Sequence, residues 1–81
     1  MKKENIYRSP VIYYEIEEDN NSYHLDVYIE GHKNSPLKNL HCKLSDFTND
    51  IERIHCFARN LSENAALPVH IPELAEEFLS F

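Results

Sequence analysis

Strict alternation of apolar and polar residues marks the first half of this chain, and a three-to-four-residue spacing marks the second half. From Ser9 onward, Ile12, Tyr14 and Ile16 fall on one side of an extended strand, and Val11, Tyr13, Glu15 and Glu17 on the other. Residues 18–22, Glu-Asp-Asn-Asn-Ser, form a polar turn cluster whose Asn and Asp tolerate a left-handed backbone. The next run alternates most cleanly, with Tyr23, Leu25, Val27 and Ile29 pointing one way and His24, Asp26, Tyr28 and Glu30 the other. Two such strands around a short polar turn predict a hairpin.

Residues 31–36, Gly-His-Lys-Asn-Ser-Pro, supply a second turn and the chain's only glycine. A third strand is predicted from about Leu37 to Leu44, with Leu40, Cys42 and Leu44 inward and Asn39, His41 and Lys43 outward. The result is a three-stranded antiparallel meander with one apolar face, which requires a cover.

The cover follows directly. Phe47, Ile51, Ile54, Ala58 and Leu61 recur at steps of four, three, four and three, one stripe of an amphipathic helix running to about Asn64. Ser45 or Thr48 serves as its cap, and Asp46 and Asp50 suit its positive end. Pro68 breaks the chain, Val69-His70-Ile71 reads as extended, and Pro72 opens a short terminal helix that turns Leu74 and Phe78 inward. The predicted fold class is α+β: a three-stranded antiparallel β-meander covered by one long helix, plus a short C-terminal helix. The predicted core is Ile12, Tyr14, Ile16, Leu25, Val27, Ile29, Leu40, Cys42, Leu44, Ile51, Ile54, Ala58, Leu61, Leu74 and Phe78. Residues 1–8 read as a flexible basic arm and residues 9–81 as a single domain.

Composition narrows the function classes. At 81 residues, 42% hydrophobic and 27% charged, the chain is an ordinary globular domain with little volume to spare for a deep cleft. The net charge of −6 divides into +2 on residues 1–8, where Lys2, Lys3 and Arg8 face Glu4, and −8 on the rest. An acidic body does not suit direct binding to a phosphate backbone, and it is compatible with a basic partner surface. No apolar run follows the basic start and no window is long enough to span a membrane, so the expected location is cytoplasmic with both cysteines reduced.

Both cysteines follow a histidine, in His41-Cys42 and His55-Cys56. Strand alternation sends Cys42 to the core and His41 to the opposite face, so the two cannot chelate one ion together. On the helix, Cys56 lies about 180° from the apolar stripe, beside Glu52, Asn49 and Asn60. A zinc site needs four converging ligands, usually from closely spaced pairs, and none is present. No metal or cofactor is expected: Cys42 reads as a small buried hydrophobe, and Cys56 as either exposed or covered by a partner.

One glycine excludes a phosphate-cradling loop, and no nucleophile–base spacing or metalloprotease motif occurs. The acidic groups Glu15/Glu17/Glu18/Asp19 and Glu73/Glu76/Glu77 read as a hairpin end and a solvated helix face, and His70 as a structural histidine. The outer face of the sheet is more informative. Val11, Tyr13, His24, Tyr28 and His41 share it with Glu15, Asp26 and Lys43, and tyrosine offers large contact area at low entropic cost. The competing expectation is that Ile6 and Tyr7, or the terminal helix, fold over that face.

The C-terminal half, Leu44-Ser45 through Phe78-Leu79, resembles a family of short, uncharacterised proteins from Clostridia and related Firmicutes. Leu44-Ser45 stands for the family's Ile-Ser, and Pro68-Val69-His70-Ile71 with Glu76-Glu77-Phe78-Leu79 for its closing motif. The chain departs from the pattern at Phe47, where the family has Asp, and at Leu74-Ala75, near its Val. These are capping and packing residues, so the resemblance implies a fold and no activity.

The functional expectation is a small non-enzymatic protein-interaction module or regulator that self-associates through the outer sheet face. Its partner-binding residues are Val11, Tyr13, His24, Tyr28, His41 and Cys56. The alternative is an acidic phage-type inhibitor, for example an anti-CRISPR protein, that blocks a nucleic-acid-binding enzyme. The expected partner is protein, with no direct nucleic acid and no membrane.

Overall fold

The computed structural model describes residues 6–79, the last of them by its backbone alone. It is α+β, with four antiparallel strands in the order β1-β2-β3-β4: β1 Ile6–Ser9, β2 Ile12–Asp19, β3 Ser22–Ile29 and β4 His41–Thr48. Helix α1 covers Ile51–Glu63, a single 3-10 turn covers Pro68–His70, and helix α2 covers Ile71–Leu79.

The expected three-stranded meander is therefore corrected to four strands. The additional strand takes residues 6–8 of the segment read as an arm, while residues 1–5 of that arm lie outside the described residues. Four residues are too few for alternation to show, and the decisive contacts are cross-strand. Tyr7 pairs with Tyr14 and packs on the core, and the Ser9 hydroxyl donates to the Ser62 carbonyl at 2.6 Å. Tyr7 thus packs on the helix side, whereas Ile6, opposite Glu15, stands exposed at the edge of the outer face, and neither Tyr7 nor α2 covers that face.

The β2–β3 hairpin follows its turn chemistry. Asn20 and Asn21 take φ of 49° and 68°, the pair of left-handed residues that matches the twist of a two-residue hairpin. Gly31, at φ 84°, opens the β3–β4 loop.

Strand β4 begins four residues later than expected and includes Ser45–Thr48, which the sequence placed at the start of the helix. The cause is an irregularity opposite His24. Tyr23 pairs with Thr48 and Leu25 with Leu44, so three residues of β4 face one of β3. Asp46 sits there at φ 51°, and its N–H donates to His24 Nδ1 at 2.8 Å. Leu44 and Phe47 are three residues apart and would alternate to opposite faces of a regular strand, but the left-handed Asp46 between them interrupts the alternation and both pack on the core.

The helix cap is Asp50, whose carboxylate accepts from the Glu52 and Arg53 N–H groups, in place of Ser45 or Thr48. The buried stripe of α1 is Ile54, Phe57, Ala58 and Leu61, while Ile51 is exposed. Val69-His70, expected as extended, lie in the 3-10 turn with Pro68 at its first position and buried. Ile71 and Ala75 are core residues that the pattern missed, and Leu40 is half-buried outside the core cluster. Phe47 from β4, Phe57 from α1 and Phe78 from α2 form an aromatic cluster, with centroids 4.9 Å apart for Phe47–Phe57 and 4.7 Å for Phe57–Phe78. Among the described residues no helix is long and apolar enough to cross a membrane.

Candidate interaction surface

Alternation along β2 and β3 buries Ile12, Tyr14, Ile16, Leu25 and Val27 against α1 and turns the intervening residues to the other side of the sheet. Register then arranges those outward residues in rows. One row runs Arg8–Tyr13–Tyr28–His41 across all four strands, and the next runs Glu15–Asp26–Lys43 across β2, β3 and β4.

The first row is a layered stack. The Tyr13 and Tyr28 rings lie 5.3 Å apart and are inclined by 6°. The Arg8 guanidinium covers Tyr13 at 4.9 Å, and Lys33, from the β3–β4 loop, covers Tyr28 at 5.6 Å. Both cations favour the negative faces of the rings. Both hydroxyls are also engaged: Tyr13 donates to Glu30 at 3.0 Å and Tyr28 to Glu15 at 3.2 Å.

The second row, with Glu17 from the row beyond it, is a charge lattice. Glu15, Glu17 and Asp26 bring carboxylate oxygens within 4.8 Å of one another. Each has its own cation or donor: Lys33 reaches Glu15 at 2.9 Å, Lys43 reaches Glu17 at 3.2 Å, and His41 Nε2 meets Asp26 Oδ1. Asp26 is 5% exposed, so removing its imidazole partner would leave a buried carboxylate uncompensated. Glu15 also acts on its neighbours. The hydrogen bond and charge it offers Lys33 hold that ammonium above the ordinary lysine range. Burial first, and Glu15 second, push the Tyr28 phenol up, so it remains a donor at neutral pH. The carboxylate trio is engaged within the chain by two lysines and one histidine.

The six sequence-predicted residues divide accordingly. Tyr13, Tyr28 and His41 share the aromatic row. Val11 stands 51% exposed in the β1–β2 turn, where its carbonyl accepts from the Glu30 N–H. His24 lies towards the far end and is half-buried by its bond to Asp46. Cys56 is on α1, beneath the sheet, so it does not join the other five. It is half-buried in a shallow depression with Ile51, Glu52, His55 and Arg59.

The two His-Cys pairs do not gather. His41 meets Asp26 on the outer face while Cys42 packs on the core, and His55 Nδ1 bonds the Tyr7 hydroxyl at 2.9 Å. Burial and the nearby Asp26 charge push the Cys42 thiol above its ordinary value, which makes it a poor nucleophile.

Arg8, Lys33 and Glu30 belong to the surface and were absent from the predicted set. Arg8 is recoverable only through the β1–β2 register, and Lys33 only through the path of a loop. No family model matches the chain, and no curated protein and no solved structure matches it either.

Proposed function

We propose that this protein is a non-enzymatic interaction module whose outer sheet face docks a protein, in the first instance a second copy of the same chain. The observation that carries the reading is the Arg8–Tyr13–Tyr28–Lys33 stack, a rigid aromatic layer on the side of the sheet away from α1. Its side chains are held by contacts within the chain, so little rotamer entropy remains to be lost on docking. The face presents both signs of charge, with Arg8, Lys33 and Lys43 near Glu15, Glu17 and Glu30. A two-fold related copy can oppose each sign to the other, as an isologous interface requires.

The inhibitor alternative draws less support from the same face. A phosphate mimic needs uncompensated carboxylates, and those of Glu15, Glu17 and Asp26 are matched by Lys33, Lys43 and His41.

Light scattering across a concentration series tests the proposal. The wild type should shift towards twice the monomer mass at about 100 μM, and Tyr13→Ala should weaken the association by about tenfold, as truncation of an interface tyrosine does. A wild type that stays monomeric throughout, with amide spectra independent of concentration, refutes docking of a second copy.

A further inference from the structure

The sheet ladder breaks opposite His24. Tyr23 pairs with Thr48 and Leu25 with Leu44, so Ser45, Asp46 and Phe47 have no paired residue on β3. The half-buried His24 ring spans that gap, its Nδ1 accepting from the Asp46 N–H at 2.8 Å. Asp46 is left-handed there, at φ 51°, a conformation uncommon outside glycine. The next residue, Phe47, stacks on Phe57 with centroids 4.9 Å apart and meets Phe78 at 6.1 Å. One side-chain bond thus fastens the segment that carries an aromatic ring into the core cluster.

Among the described residues three imidazoles bond to other groups of the chain, and a proton affects each differently. His41 faces the Asp26 carboxylate, an acceptor, so a charged ring keeps that contact. His55 faces the Tyr7 hydroxyl, which donates or accepts as the ring requires. His24 faces a backbone N–H, which can only donate. Its Nδ1 must therefore carry a lone pair, and a proton added there sets N–H against N–H. The groups that face the ring from the neighbouring strands are acidic. On β2, Glu17 is its cross-strand partner and Asp19 lies 3.9 Å from Nε2. On β4, Asp46 brings its own carboxylate, and Lys43 is engaged with Glu17 at 3.2 Å. Asp26, further along β3, is taken by His41. An imidazolium that leaves the Asp46 N–H therefore has the Asp19 carboxylate to turn to.

We propose that His24 is a proton-operated latch on the end of β4. Neutral, the ring fastens residues 45–47 to β3. Protonated at Nδ1, it turns to Asp19 and releases them, which loosens the Phe47 ring from Phe57 and Phe78. The released segment leads into Asp50, the cap of α1, so opening it uncovers part of the aromatic cluster while β1, β2 and β3 stay paired. This is the opening of one weakly held segment, biased by the side chain whose ordinary charge change falls between about pH 5 and 8. It does not depend on the association proposed above, which the Tyr13→Ala measurement reads separately.

Nuclear magnetic resonance of the isotope-labelled full chain, titrated from about pH 8 to about pH 5, reads the latch directly. At the start a coupling across the hydrogen bond should link the Asp46 amide nitrogen to His24 Nδ1, and it should vanish as the ring protonates. The amide shifts of residues 45–48 and the ring signals of Phe47 should move on the same curve. Protection of the Asp46 amide, relative to its intrinsic exchange, should fall by about tenfold. His24→Asn keeps an acceptor on the same branch of the side chain and does not titrate, so these signals should stay flat. Tyr13→Ala should follow the wild-type curve. The proposal is overturned if the coupling outlasts protonation of the ring, if His24→Asn shows the same transition, or if the ring stays neutral down to about pH 5. Shifts that spread over all four strands together would also overturn it, as global unfolding. A transition lost in Tyr13→Ala would assign it to separation of two copies instead.

Discussion

Replacing Tyr14 by phenylalanine isolates a single hydrogen bond on which the joint between the sheet and the C-terminal helices depends. Tyr14 is fully buried in the middle of β2, and its hydroxyl donates to the Ala66 carbonyl at 2.7 Å, just beyond the end of α1. The substitution keeps the ring and its packing, removes the donor and leaves that carbonyl without its phenolic partner. The loss should be about 1–2 kcal/mol, the range for a net hydrogen bond together with an unsatisfied acceptor. For a domain of this size a loss in the middle of that range lowers the melting temperature by about 6–12 °C. Urea unfolding at pH 7 followed by circular dichroism measures it, with an unchanged m-value showing that the unfolded state is the same. Tyr13→Phe is the control: its hydroxyl bonds Glu30 at the surface and should cost under about 0.5 kcal/mol.

The pH dependence gives a second reading on the same hydroxyl, through its burial. Burial raises the Tyr14 phenol above its ordinary value, partly opposed by the neighbouring Ser9 side chain. A group with a raised folded-state value contributes stability that is fully present below the unfolded value and is lost as pH rises through the folded one. The advantage of wild type over Tyr14→Phe should therefore narrow as pH rises above about 10. Tyr23 and Tyr28 are also raised by burial but are common to both proteins and cancel in the difference. A Tyr14→Phe protein within about 0.5 kcal/mol of wild type at pH 7, with no change in alkaline behaviour, would refute the view that this hydroxyl ties β2 to the end of α1.

Three further outcomes can be checked. Asp50→Ala removes the acceptor for the Glu52 and Arg53 N–H groups and should cost about 1 kcal/mol in urea unfolding, with Asp50→Ser recovering most of it. His24 Nδ1 accepts from the Asp46 N–H, so long-range proton–nitrogen spectra at neutral pH should show the Nε2–H tautomer; an Nδ1–H tautomer would contradict the described irregularity in β4. With Cys56→Ser leaving Cys42 as the sole thiol, Ellman's reagent at pH 8 should react much more slowly than in urea-unfolded protein, because burial raises that thiol. Equal rates would show that Cys42 is not packed on the core.

Much of the framework was legible in the chain because both periodicities survive folding. Ile12, Tyr14, Ile16, Leu25 and Val27 alternate as written and are buried as written, and Ile54, Ala58 and Leu61 keep their helical stripe. Where the reading shifted, a non-local partner was responsible. Phe47 satisfies helical spacing with Ile51 and Ile54, yet an irregularity held by His24 keeps it on a strand. Val69-His70 lie between two prolines in an apparently extended run, but a 3-10 turn lets Pro68 and Ile71 both reach the core.

The candidate surfaces divide on the same lines. That Tyr13 and Tyr28 lie on the face opposite the core follows from alternation alone, since a strand has only two sides. That they stack on each other, with Arg8 and Lys33 covering their outer faces, depends on register and on the path of a loop. The cluster of Phe47, Phe57 and Phe78 had no local signature, because its rings come from one strand and two helices. Short-range spacing thus determined which residues turn inward, through the geometry of single strands and helices. Only the tertiary structure decided which of them meet, because that choice rests on pairings between segments as distant as Ser9 and Ser62.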